Sequence, residues 1–137
     1  MSDKVEVIIN GITFPAVLHP DRAPETCAAI RARLPFKARV MHVRWSGEAI
    51  WAPLGDLEFG VGPEEATRHP APGQMILYPG GVSETEILIG YGAVAFASKA
   101  GPLAGNHFLS ITGGLDALAA LGRETLQTGA VDFEIRA

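Results

Sequence analysis

The first and last stretches of this chain carry the same alternating signature, which limits the folds open to it. Val5, Val7 and Ile9 alternate with Lys4 and Glu6, and Val131, Phe133 and Ile135 alternate with Asp132, Glu134 and Arg136. A period of two places one set of side chains on a single face of a strand, so both stretches read as half-buried β-strands. Two such strands at opposite ends of a chain can pair and close a sheet on itself, which removes the exposed edges of an open one. The stretches between them fit that expectation. Asn10-Gly11 favours positive φ and marks a hairpin, after which Ile12, Phe14, Ala16 and Leu18 return on period two. Pro15 within that return argues for an edge or a bulge. Val40, His42 and Arg44 alternate with Met41, Val43 and Trp45, and Ser46-Gly47 reads as a tight turn before Glu48 to Ala52. Further strands are expected at 74–78, 84–89, 94–98 and 107–111, with a surface loop over 60–73. The period changes only at Pro24 to Leu34, where Cys27, Ile30 and Leu34 fall on one helical face, and at Leu115 to Leu121, a short helix ended by Gly122. About nine short strands, 16 glycines and 10 prolines describe a mainly-β chain. Its expected form is one domain over 1–137, a closed antiparallel barrel of about eight strands with one or two short helices.

Composition removes several functions. Hydrophobic residues make up 47% and charged residues 19%, which is the balance of a folded domain. No apolar run approaches the ~20 residues that span a bilayer, so no membrane role is expected. The opening Met1-Ser2-Asp3-Lys4-Val5-Glu6 has acids where a secretory signal would be basic and then apolar, and a cytoplasmic location is expected. Cys27 is alone, which excludes an intrachain disulfide and a cysteine-based zinc cluster. With 15 acids against 11 bases and no run of cations, nucleic acid is not an expected partner. His19, His42 and His69 lack metal-ligand spacing, so neither a metal nor a cofactor is expected. Pro79-Gly80-Gly81 reads as a turn rather than a phosphate cradle, and Ser46 and Ser83 lack a nucleophile-elbow context.

Three stretches resemble the cyclophilins when taken in order. His19 to Thr26, leading into Ile30-Arg31-Ala32-Arg33-Leu34, is similar to the segment that opens their first helix. Arg39 to Arg44 resembles the strand bearing their catalytic arginine, and Ala97 to Pro102 with Gly105 to Leu109 resembles their groove-lining loop and the strand after it. Arg44-Trp45-Ser46-Gly47-Glu48-Ala49-Ile50-Trp51, Tyr78 to Glu86 and Ala104 to Phe108 are closer to an uncharacterised bacterial family of cyclophilin-like proteins, a domain of unknown function. The resemblance implies a cyclophilin-like barrel and a groove, with Arg44 at the position of the cation that supports prolyl rotation. His107 falls where cyclophilins place a glutamine, and Leu109 where they place a pocket phenylalanine.

The residues themselves suggest a site. Arg44 offers planar, permanently charged donors for a carboxylate or carbonyl, or else pairs with Glu48, Glu84 or Glu86. Glu84 and Glu86, two residues apart, would share a strand face, where proximity can raise one carboxyl's pKa for acid/base work; alternatively Glu84 caps the turn and Glu86 is solvated. His107 can exchange a proton near neutral pH, with Asn106 to orient it, or it is a satisfied core residue. Lys99 can meet an anion, and Trp45, Trp51 and Tyr78 can wall a pocket or belong to the core. The expected function is binding, hydrolysis or isomerisation of a small polar carboxylate, amide or imide, catalysed by Arg44, His107, Glu84 and Glu86. Peptidyl-prolyl isomerisation is one alternative, and a non-catalytic binding module or assembly subunit another. The partners are then a small molecule or short peptide, with room for a homo-oligomer interface.

Overall fold

Asn10 and Gly11 take φ of 49° and 80°, the left-handed values of a tight hairpin, between β1 (Lys4–Ile9) and β2 (Ile12–Leu18). The computed structural model describes residues 2–137. Val5↔Ala16, Val7↔Phe14 and Ile9↔Ile12 are cross-strand partners, so the alternating apolar residues of both strands meet on one face. The remaining barrel strands are β3 (Phe36–His42), β4 (Gly47–Pro53), β5 (Gln74–Tyr78), β6 (Glu86–Val94), β9 (Asn106–Ile111) and β10 (Val131–Arg136). β10 pairs antiparallel with β1 through Val7↔Ile135 and Ile9↔Phe133, as the matching ends require. The ring runs β1-β10-β3-β4-β6-β5-β9-β2 and closes between β2 and β1, making an eight-stranded antiparallel barrel. Its inward residues, among them Phe14, Val40, Ile50, Met75, Leu77, Ile87, Ile89 and Phe133, form one core. The helix α1 (Pro24–Arg31) adds Cys27 and Ile30 to it, and α2 (Leu115–Thr128) adds Leu118 and Leu121.

Several elements differ from the sequence expectation for identifiable reasons. Gly122 lies inside α2 rather than ending it: a Cβ there would stand 2.4 Å from Cδ2 of Tyr91, so the glycine lets the helix settle on that ring. Pro15 occupies no free edge, because β2 pairs on both sides; it lies just past the end of the β9 ladder at Ala16, and its carbonyl accepts from Thr112 N–H at 2.8 Å. Strand β6 starts two residues late, at Glu86, and continues to Val94 through Gly90 and Gly92. Beyond Val94, the stretch 95–98 joins no barrel strand. Only β7 (Ala97–Ser98) is extended there, paired with β8 (Gly101–Pro102) in a separate two-stranded ribbon.

That ribbon matters because it lies against the outside of the barrel. Outward residues Ala49, Ile76, Tyr78 and Leu88 form a second apolar cluster with Phe96 and Leu103, which flank the ribbon. The loop over 60–73 is also tied down. Thr67 bridges to Gly105, and Phe96 N–H donates to the Arg68 carbonyl at 2.7 Å.

Candidate functional site

Strand β4 acts as a ruler for the outer wall. Trp51 faces Met41 of β3 on one side and Leu88 of β6 on the other, while Pro53 faces Glu86. Alternation therefore sends Met41, Trp51, Leu88 and Glu86 outward, opposite to core residues Val40, Ile50, Ile87 and Ile89. Above this strip lies a cavity of about 250 Å³, with Met41, Val43 and Trp51 as its apolar lining. Arg44, Trp45 and Ser46, from the turn after β3, line it together with Ala97, Ser98 and Lys99 of the ribbon. Ser46 fastens the ribbon there: its hydroxyl donates to the Ala97 carbonyl at 3.1 Å and accepts from Ala97 N–H at 3.0 Å. Ser83, Glu84 and Glu86 complete the lining.

Glu86 is the group in the cavity that most needs explanation. Its residue is 6% exposed and its carboxyl makes no hydrogen bond or ion pair among the described residues, yet its oxygens keep contact with solvent in the cavity, since no buried side-chain oxygen there lacks a partner. Burial, and then the charge of Glu84, push its pKa up to about 7. Glu84 reaches the same cavity by a different route from the one its spacing suggested. It precedes the strand, in the turn, and its Oε2 accepts Gly55 N–H at 2.9 Å. Arg44 and Lys99 are exposed, and neither joins an ion pair among the described residues; the pairs there are Arg31–Asp3, Arg39–Asp132 and Arg136–Glu6. Trp45 is 55% exposed beside them. Tyr78 does not line the cavity. Its ring stands edge-on to Phe96 at 6.0 Å, and its hydroxyl oxygen accepts from Val82 and Ser83 N–H at 2.9 and 3.3 Å, holding the turn that carries Ser83 and Glu84.

His107 and Asn106 lie elsewhere. His107 faces outward opposite Ile76, in the same lateral row as Leu88 and Trp51, but three strands from β4. At a strand spacing of about 4.8 Å this is roughly 14 Å, and the Ile76–Leu88–Phe96–Leu103 cluster fills the interval. Its Nε2 is 2.9 Å from Ser110 Oγ, which is in turn 2.8 Å from Nε2 of His19. Burial first, then the His19 and Arg22 charges, lower the His107 pKa to about 4. The ring is neutral at physiological pH. Asn106 is fully buried in a structural knot. Its Oδ1 accepts Glu64 N–H, and its Nδ2 donates to Thr26 Oγ1 and the Gly62 carbonyl. Glu64 completes the knot by accepting from Glu25 N–H, Thr26 N–H and the Thr26 hydroxyl at the start of α1. Partial burial opposes its charge, but the Thr26 hydroxyl and these N–H groups outweigh that and hold the carboxyl below its usual range.

His42 also borders the cavity, but its strand partner is the core residue Ile50, so its ring turns to the face opposite Met41 and Trp51, towards Tyr91. Its Nδ1 lies 2.8 Å from the Val43 carbonyl, which can only accept, so Nδ1 carries a proton; its Nε2 lies 2.7 Å from the Tyr91 hydroxyl. Its alternation with Val40, a core residue, is the sequence signal of that inward face. Among the described residues no group of three or more His, Cys, Asp or Glu side chains is placed to hold a metal ion.

Comparison with known proteins gives a family and a fold. The sequence pattern of a family described as protein of unknown function, DUF3830, matches residues 5–137. A solved structure described as McbB in complex with tryptophan superposes with a TM-score of 0.74 at 19% identity, over 96% of this chain and 44% of that one. The chain thus spans less than half of the McbB chain, and the likeness is one of fold. No curated protein matches the sequence.

Proposed function

The chain belongs to the DUF3830 family, and we propose that its outer-wall cavity binds, and in the fuller form of the reading converts, a small polar carboxylate, amide or imide. The observation that carries this is Glu86. A largely buried carboxyl that meets water only through the cavity and has no protein partner is placed to meet a ligand, and groups with shifted pKa values of this kind concentrate at functional sites. Here it shares a small cavity with an unpaired guanidinium and an exposed indole. Arg44, with Lys99, takes the anionic or carbonyl end of the ligand, and Trp51 and Trp45 enclose its body. Glu86, with its pKa raised to about 7 by burial and further by the Glu84 charge, can give or accept a proton at neutral pH. His107 has no part in this site, being sealed three strands away.

Two likenesses support the reading. McbB, which shares the fold, has been solved with an amino acid bound. The two cyclophilin-like stretches ending at Arg44 and running from Ala97 both border the cavity. The test is a panel of small carboxylates, amides, imides and X-Pro peptides titrated against the protein by calorimetry or NMR. A small polar member should bind, with affinity at least tenfold weaker in Arg44→Ala. Binding unaffected by that change, or by prolyl peptides alone with acceleration of their isomerisation, contradicts the reading.

A further inference from the structure

The cavity is charged unevenly along its length, and the strand register measures the imbalance. Val43, just before Arg44, donates its N–H to the Ala49 carbonyl, whereas Glu86 stands opposite Pro53. Ala49 and Pro53 lie four residues apart on β4, about 13 Å of extended chain. The ribbon bearing Lys99 is fastened by Ser46 at the Arg44 end. Glu84 stands at the other end, anchored to Gly55 just beyond β4. The cations therefore occupy one pole and the carboxyls the other, with Trp51 and Met41 on the wall between them.

We propose that the ligand is a bipolar, amino-acid-like molecule, with its carboxylate held by Arg44 and Lys99, its ammonium by Glu86 and Glu84, and its body along Trp51. The proposal rests on the cavity being a small-molecule site and names the class of molecule. Both poles are then answered by opposite charge. A ligand with a carboxylate alone leaves Glu86 as unpartnered as before, and a dicarboxylate sets a second acid against two carboxyls. Arm lengths agree with a compact ligand: arginine and glutamate side chains reaching inward from poles about 13 Å apart leave only a few ångströms between the groups they hold. The geometry carries a thermodynamic consequence. An ammonium beside Glu86 favours its ionised form, so binding near neutral pH expels the proton that this carboxyl holds part of the time.

The probes are glycine, leucine, glutamine, phenylalanine, β-alanine and γ-aminobutyrate, with the N-acetyl and carboxamide forms of each, measured by calorimetry in two buffers of different ionisation enthalpy at pH 7. At least one free amino acid should bind, and acetylating its amine or amidating its carboxylate should each weaken it tenfold or more. Proton release should accompany binding to the wild-type protein and vanish in Glu86→Gln, whose amide keeps the shape of the acid. N-acetyl forms that bind as tightly as the free amino acids, or binding without proton release, overturn the bipolar assignment while leaving a carboxylate site in place. Failure of all these probes while other carboxylates, amides or imides bind would also overturn it. If those compounds fail as well, the small-molecule reading itself falls.

Discussion

Two polar clusters sit on the outer wall of the same barrel, and they differ in one respect. Around His107, polar atoms find protein partners: its Nε2 and that of His19 share the Ser110 hydroxyl, and the rings lie 4.7 Å apart. Around Glu86, a buried carboxyl, a guanidinium and an ammonium face one cavity with no ion pair among them. Burial is nearly the same in the two places, 4% exposure for His107 and 6% for Glu86. Residue type and burial thus do not distinguish the two clusters. Satisfaction separates them: a group partnered within the protein has its free energy already accounted for, and one facing a cavity does not.

The sharpest way to break this contrast is to truncate one residue from each cluster. His107→Ala removes a buried ring and leaves Ser110 short of a partner, so it should destabilise the protein by about 2–4 kcal/mol while ligand affinity in the folded fraction stays within about twofold. Arg44→Ala should do the reverse, changing stability by no more than about 0.5 kcal/mol and weakening ligand binding at least tenfold. Chemical denaturation and calorimetry on the same preparations read both. Equal effects of the two changes on affinity would erase the distinction.

The pH dependence of stability separates the clusters a second time, with opposite signs. Glu86 has a folded pKa of about 7 against an ordinary 4.5. The native state binds more protons between those values, so its contribution falls as pH rises through them. Glu86→Gln should therefore gain about 1–3 kcal/mol over wild type at pH 8 and little at pH 4. His107 has a folded pKa of about 4 against 6.5. Here the unfolded state binds more protons, so stability is lost as pH falls from 6.5 towards 4, and His107→Gln should flatten that loss. In wild type the two slopes oppose each other between pH 4.5 and 6.5, so each single variant exposes the other group's slope. Urea midpoints at half-unit steps in pH measure this directly. The smallest expected effect is at Trp45, which is 55% exposed. Trp45→Ala should leave stability within about 0.5 kcal/mol and reduce ligand affinity only a few-fold.

Barrel closure was legible because it depends on a local property, the period-two pattern at both ends of the chain. The membership of the cavity was legible in part: Arg44, Trp45, Trp51, Glu84, Glu86 and Lys99 all line it. What the residues do not encode locally is the order of strands around the ring. β5 lies between β6 and β9, so a residue on β9 stands remote from β4 however suggestive its chemistry. Without that order His107 and Arg44 look like neighbours, and His42, two residues from Arg44, turns its ring to the core face. Tyr78 illustrates a related limit. It belongs to the correct wall, but its hydroxyl is committed to Val82 and Ser83. Glycine commonly ends helices, and only the Tyr91 ring beneath Gly122 explains why this helix continues through it.

The carboxyl of Glu86 can be followed by ¹³C NMR as pH is varied, in the wild-type protein and in Arg44→Ala. Its midpoint should lie near 7 in the wild type and move little when the guanidinium is removed, since the two are not paired. A midpoint at or below 4.5 that rises in Arg44→Ala would reveal an internal ion pair, and the carboxyl would then have no need of a ligand.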